Sequence, residues 1–169
     1  IQQTTRTPIR TRLGMSLTPA QLATLQQTDA NLDAAMHPIG EDVTLQRGCH
    51  ADDLRRAFGI RNYSSMTQPQ LEAALVGGTF TNTAVMSTSY DVAQNPFLGS
   101  GPVAGGREIV YNIKAKAGTP MVWGAMSQAE AILGKGITWK ITGVRYTGKT
   151  AFPRNGGAMP QLEIDIETV

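Results

Sequence analysis

Three short groups of residues carry the chemistry open to this sequence. Gln128 and Glu130 stand two positions apart, which on an extended backbone puts both side chains on one face and into one cleft. A carboxylate held beside a sugar stabilises the positive charge that spreads over the ring as a glycosidic bond breaks, and it accepts a hydrogen bond from a sugar hydroxyl. Arg47, followed by Gly48, offers a guanidinium fork that fits phosphate oxygens, as in the pyrophosphate of a dinucleotide. In Ser87-Thr88-Ser89 the two serines share one face of a strand and Thr88 takes the other, so hydroxyls are available to buttress a carboxylate and line a pocket floor. Each group alone has a plainer reading: an exposed turn or helix start, a surface arginine beside a turn glycine, an ordinary Ser/Thr-rich strand. Their order along the chain, one per expected strand, is what joins them.

Other signals carry less. Gly143-Val144-Arg145-Tyr146-Thr147-Gly148-Lys149-Thr150 matches the P-loop pattern letter for letter. A phosphate cradle needs that loop to feed a helix whose N-terminus faces the phosphates. Pro153 and Gly156-Gly157 follow where the helix would grow, and no apolar strand ending in a metal-binding aspartate accompanies it. A hairpin turn is the plainer reading, and a nucleotide-binding P-loop protein is the weaker alternative. Cys49 and His50 are neighbours, so on a strand they point to opposite faces, and no third group orients them as nucleophile and base. Cys49 reads as a small buried residue. One cysteine with His37 and His50 cannot assemble a usual zinc site, and the methionines read as core filler.

The elements that must position these groups follow from spacing. Thr18-Pro19-Ala20-Gln21 opens a helix with a capping box, Leu22, Leu25, Leu32 and Met36 recur along it, and Pro38 with Gly40 ends it. Residues 1–16 read as a basic arm or linker carrying Arg6, Arg10 and Arg12, with residues 17–169 as one domain. Val43 to Arg47 reads as a short strand and Asp52 to Phe58 as a short helix. Thr67-Gln68-Pro69-Gln70 repeats the capping logic for a helix closed by Gly77-Gly78. Thereafter the period changes to two. Phe80 to Ser89 reads as one strand, 94–106 as a loop, and Ile109–Ile113, Ile137–Ile141 and Leu162–Ile166 as strands. Helices first and strands afterwards predict an α+β domain.

Bulk properties set the limits. The 41% hydrophobic and 17% charged composition is that of a globular chain with a real core, which excludes a disordered or coiled-coil protein. The net charge of +2 is slight; the basic arm reads as a solvated or linker segment, with a nucleic-acid contact as an alternative that no interleaved aromatics support. The single cysteine excludes an internal disulfide. No run is long and apolar enough to span a bilayer, and the start has no signal-peptide layout. The chain begins at Ile1 without a methionine, which points to a piece of a larger protein.

Taken together, Gln46-Arg47-Gly48, Ser87-Thr88-Ser89 and Gln128-Ala129-Glu130 resemble the signature of the mono-ADP-ribosyltransferases, the Arg / Ser-Thr-Ser / Gln-x-Glu type of the bacterial toxins and exoenzymes. The likeness extends to Asp42–Gly48 as the family's first strand, to Thr79-Phe80 ahead of the Ser-Thr-Ser block, and to Ala117-Gly118-Thr119-Pro120 as the turn before the catalytic loop. Gln128-Ala129-Glu130-Ala131-Ile132-Leu133 followed by Gly134-Lys135-Gly136-Ile137 resembles the glutamate strand and its turn, so that about residues 18–145 are covered. The resemblance implies two small packed β-sheets with N-terminal helices and an NAD cleft between them. It implies that NAD+ is split as a substrate without a metal, and that ADP-ribose passes to a macromolecular acceptor, protein or nucleic acid, with NAD glycohydrolysis as a side activity. Glu130 would be catalytic, Ser87 would hold its carboxylate, and Gln128 would orient the acceptor. Arg47 would bind phosphate, with Gly48 near the nicotinamide amide, Thr88 and Ser89 shaping the pocket, and Trp123 touching the substrate from the loop. Gln128 in place of Glu resembles the branch that modifies asparagine-type side chains or guanine bases. Two departures stand out: the first helix lacks the phosphate-gripping arginine of many relatives, leaving Arg10 or Arg12 to substitute, and Phe97 is the only aromatic of the 94–106 loop. Relatives of this kind are toxin or effector domains delivered from larger bacterial or phage proteins to the target-cell cytoplasm, with an immunity protein as a further partner. A catalytically silent binding module of the same fold is the alternative.

Overall fold

The computed structural model describes residues 17–90, 107–124, 129–151 and 157–169; the arm 1–16, Phe97 and Gln128 lie outside the described residues. Two compact units are present, Ile1–Met36 and His37–Val169. In the first, helix α1 (Pro19–Ala35) starts as its sequence dictates. Thr18 Oγ1 accepts from the Gln21 N–H at 3.2 Å while Gln21 Oε1 accepts from the Thr18 N–H at 2.9 Å, and Pro19 fills the first helical position, where a missing N–H loses nothing.

The second unit contains β1 (His37–Pro38), β2 (Val43–Cys49), α2 (Asp52–Phe58), a 3₁₀ turn at Tyr63–Ser65, α3 (Gln68–Leu75), β3 (Thr79–Thr81), β4 (Met86–Ser89), β5 (Ile109–Ala115), β6 (Pro120–Trp123), β7 (Glu130–Leu133), β8 (Thr138–Ala151) and β9 (Met159–Thr168). The class is α+β, as expected. The described strands make one nine-stranded sheet in the order β1-β6-β7-β4-β2-β5-β9-β8-β3, antiparallel throughout except for β5 beside β9. The two small sheets of the sequence reading correspond to its halves, β1-β6-β7-β4 and β2-β5-β9-β8-β3. Among the described residues the strand ladder that joins them is the pairing of Gln46 in β2 with Ser89 in β4. Arg47 therefore lies at the seam, next to the strand that carries Ser87.

The core covers one side of the larger half and continues to Met86, Met121, Ala131 and Leu133 of the smaller. In the larger half Leu45, Ile109, Ile113, Trp139, Ile141, Leu162 and Ile164 are buried with Leu54 of α2 and Leu71 and Leu75 of α3. Gly59 at φ +71° ends α2, its N–H bonding Arg55 O, a backbone state that glycine adopts without penalty. Tyr63 donates to Pro160 O at 2.7 Å, and Tyr146 donates to Tyr63 O and Met66 O at 2.8 and 2.7 Å, so the irregular segment between α2 and α3 is tied to β8 and β9.

Two expectations change. The Phe80–Ser89 strand is interrupted, because Asn82 leaves the sheet and turns inward. Its Nδ2 donates to Ala84 O and Gly134 O, and its Oδ1 accepts from the Ile137 N–H and from Trp139 Nε1. The P-loop look-alike is neither a phosphate loop nor a hairpin turn; Gly143 to Thr150 all belong to β8. Its glycines serve the strand. A Cβ on Gly143 would lie 2.8 Å from Asp165 Oδ2, and Gly148 sits at φ +78° inside a register shift between Tyr146 and Thr150. Lys149→Ala is therefore expected to change stability by no more than about 0.5 kcal/mol, and ATP with magnesium should leave the melting temperature of either form unmoved. A nucleotide-induced shift lost in the variant would restore the P-loop reading.

The space cleared by Gly143 is used for charge. Arg145 forks onto Asp165 with both contacts at 2.8 Å and reaches Glu163 at 3.3 Å through Nε, while Asn112 donates to Asp165 and to Glu163. Hydrogen bonding from Arg145 holds the Asp165 carboxyl below its ordinary value. A depressed folded pKa stabilises the fold above the unfolded value and loses that stabilisation as pH falls through the folded one. Asp165→Asn should accordingly cost about 1 kcal/mol at neutral pH, the pair being partly solvated, and should flatten the acid limb below about pH 4. Urea melts at pH 7 and pH 3 check this; an equal cost at both would remove the ion pair from the account.

Candidate active site

Ser87 brings the candidate residues together. In the β4–β7 ladder Ser89 pairs with Glu130, Thr88 with Ala131 and Ser87 with Ile132. Alternation then puts Ser87, Ser89 and Glu130 on one face, with Met86, Thr88, Ala131 and Leu133 on the other. Ser87 Oγ donates to Glu130 Oε1 at 2.5 Å, a short charge-assisted bond. Across the seam, Arg47 Nη1 donates to the Ser87 carbonyl at 2.7 Å. One serine thus contacts the carboxylate through its side chain and the guanidinium through its backbone. Ser87 is exposed and Glu130 half-buried, so this face is open to a ligand.

The neighbouring residues brace that pair. Thr88 is 3% exposed and donates to Ala131 O at 2.6 Å, so its hydroxyl is spent on the ladder beneath the open face. Ser89 Oγ and the Tyr90 N–H both bond Ala129 O, at 3.3 and 3.0 Å. Ala129 has φ +47°, a left-handed state that an alanine holds only when its surroundings demand it; here a buried side chain and a doubly bonded carbonyl do so. The backbone is therefore not extended at Ala129, between Gln128 and Glu130. A turn at Ala129 breaks the alternation, and Gln128 lies outside the described residues.

Gly48 follows Arg47 in β2 and pairs with Val110. Trp123 ends β6 opposite Ala131, so by alternation its ring leaves the sheet on the face away from Glu130, where it is exposed and stands edge-on to Tyr90 at 5.3 Å. Cys49 shares Arg47's face of β2; burial pushes its thiol up to about 12 against the pull of Arg47. That keeps it a thiol at neutral pH, in line with the buried role expected for it. Among the described residues no His, Cys, Asp and Glu cluster is arranged to hold a metal ion.

Residues 7–156 match the family model of the ADP-ribosyltransferase exoenzymes. The chain belongs to that family. Three solved structures show the ADP-ribosyltransferase fold at low identity. Plx2a, a toxin from Paenibacillus larvae, superposes with a TM-score of 0.59 at 15% identity over 94% of this chain and 75% of its own. BECa of a binary enterotoxin of C. perfringens, solved with NADH, gives 0.64 at 14% identity over 92% of this chain and 38% of its own. C3stau2 from S. aureus, solved with NAD, gives 0.56 at 16% over 90% and 73%. No curated protein matches the chain. No helix among the described residues is long and apolar enough to cross a membrane.

Sequence reasoning about this ADP-ribosyltransferase domain passed over two residues that shape the site: Ala129, whose backbone state leaves no mark in the sequence, and Gly124, whose N–H bonds Glu130 O at 2.9 Å from the next strand. The glycine directly after β6 was the one available signal.

Proposed function

We propose that the protein cleaves the nicotinamide–ribose bond of NAD+ and transfers ADP-ribose to a macromolecular acceptor. The contact of Ser87 with both Glu130 and Arg47 supports this reading most directly. NAD+ supplies the ADP-ribosyl group and nicotinamide as leaving group; the chain's residues bind, orient and stabilise charge. Glu130 sets a carboxylate beside the ribose, where it offsets the positive charge that develops as the bond to nicotinamide breaks and nicotinamide departs with the electron pair. Ser87 holds that carboxylate in one position, which is worth most if the geometry is kept to a fraction of an ångström. Arg47 reaches the same seam and presents a guanidinium suited to the pyrophosphate, with Gly48 near the nicotinamide amide and Ser89 and Thr88 supporting the floor. The acceptor nucleophile forms the new bond to the ribose carbon and gives up its proton; water in its place yields free ADP-ribose.

Gln128 and Trp123 are assigned to acceptor recognition on the family resemblance alone. The acceptor is then an asparagine-type protein side chain or a nucleic-acid base. Delivery as a secreted toxin or effector module into a target cell, with an immunity protein in the producer, accords with the family. Incubating the protein with adenylate-labelled NAD+ and cell lysate tests the whole reading. Label covalently retained on protein or nucleic acid, with matching nicotinamide release, is expected. Intact NAD+ after prolonged incubation would favour a silent module of the same fold.

A further inference from the structure

We infer that Gly124 is a positioning residue for the Glu130 carboxylate, an assignment that rests on the NAD-cleaving reading above. Gly124 continues β6 directly opposite Glu130 and is bonded to its carbonyl. The Glu130 side chain folds back over it. A Cβ built on Gly124 would stand 2.5 Å from Glu130 Oε2 and 2.9 Å from both Cδ and Cγ, so the carboxylate occupies the volume that any other residue's side chain would fill. The Gly124 φ lies outside the left-handed region, so the backbone there accepts an L-residue such as alanine. The constraint is space alone.

The asymmetry of that clash makes the assignment specific. The atoms in the way are the far end of a flexible side chain, which can swing aside with little loss to the fold. Swinging aside, however, draws the carboxylate about 1 Å from its place and off the Ser87 hydroxyl that holds Oε1 at 2.5 Å. Alanine at 124 therefore harms the chemistry and spares the structure. Gly124, Ser87 and Glu130 act as one unit: the serine draws the carboxylate from one neighbouring strand, and the glycine vacates its seat on the other.

The test is a double-mutant cycle on the whole protein with Gly124→Ala and Ser87→Ala, reading nicotinamide release, NAD+ affinity by calorimetry, and thermal melting. Gly124→Ala should lower kcat about 100-fold, the loss typical of an ångström-scale misplacement. NAD+ affinity should stay within about 3-fold and the melting temperature within about 2 °C, since neither phosphate contacts nor packing are touched. In the Ser87→Ala background, where the hydroxyl that holds Oε1 is already gone, the same change should cost less than about 10-fold, because residues acting through one contact are not additive. A Gly124→Ala protein with wild-type kcat overturns the assignment. So does the full 100-fold loss on top of Ser87→Ala, or a melting temperature lowered by more than about 10 °C, which would make the glycine a packing residue. A wild type that binds NAD+ yet releases no nicotinamide rejects the activity itself, and this role with it, and is told apart by its own silent baseline.

Discussion

Glu130→Ala should reduce nicotinamide release and acceptor labelling by about 1,000-fold or more while leaving a folded protein. The size follows from what the carboxylate supplies. A preorganised charge facing charge that develops only in the transition state contributes about 4 kcal/mol, or about three decades of rate. Stability should move by no more than about 1 kcal/mol, because Glu130 is half-buried at the open face, where water can take up the groups its side chain leaves. Glu130→Gln is the sharper companion: it keeps shape and a hydrogen-bond acceptor and removes only the charge, so it should be nearly as inactive. Chromatographic assay of nicotinamide beside circular dichroism melts separates chemistry from folding. A Glu130→Ala protein turning over NAD+ at the wild-type rate would remove the carboxylate from the mechanism.

Asn82→Ala should destabilise the protein by about 4 kcal/mol and lower its melting temperature by about 10 °C. Asn82 is 9% exposed and uses its amide on four partners: the carbonyls of Ala84 and Gly134, the N–H of Ile137 and the indole N–H of Trp139. Its own backbone closes the same junction, its N–H bonding Ile137 O at 3.2 Å and its carbonyl accepting from Gly136 at 2.8 Å. Truncation leaves buried polar groups without partners, each costing about 1–3 kcal/mol before relaxation and water entry recover part of it. Asn82→Asp is a control of equal shape. It turns an oxygen towards two carbonyl oxygens, so it should be no better tolerated than alanine. Urea unfolding gives both values; a change under about 1 kcal/mol in Asn82→Ala would mean that water replaces the amide in full.

These two residues differ in how visible they are in the sequence. Glu130 stood out because two other triplets preceded it in the right order; Asn82 is a single asparagine in a polar stretch, and nothing within several residues of it distinguishes it from a turn residue. Three of its four partners, Gly134, Ile137 and Trp139, are more than 50 positions away. The same contrast runs through the elements. The starts of α1 and α3 were legible because a capping box is made within four residues, and both boxes form as written. The strands of β5, β8 and β9 were legible as alternation. The extent of β8 was not. Gly143 and Gly148 read as breakers, whereas one glycine makes room for Asp165 from β9 and the other carries a bulge within the strand.

What the sequence determined by itself is the set of parts: the α+β class, the helix starts, the alternating strands, and the order Arg47, Ser87, Glu130 that marks the family. These rest on interactions over a few residues or on residue identity, which survive being written as a string. The tertiary structure alone decided that β2 and β4 join the two halves of the sheet at Gln46 and Ser89, that Ser87 touches both Arg47 and Glu130, and that Ala129 turns Glu130 onto the open face above Gly124. The first two depend on strands 40 or more residues apart meeting in one register. A shift of a single residue there would send the serines or the carboxylate to the opposite face, and no local pattern encodes which register is chosen.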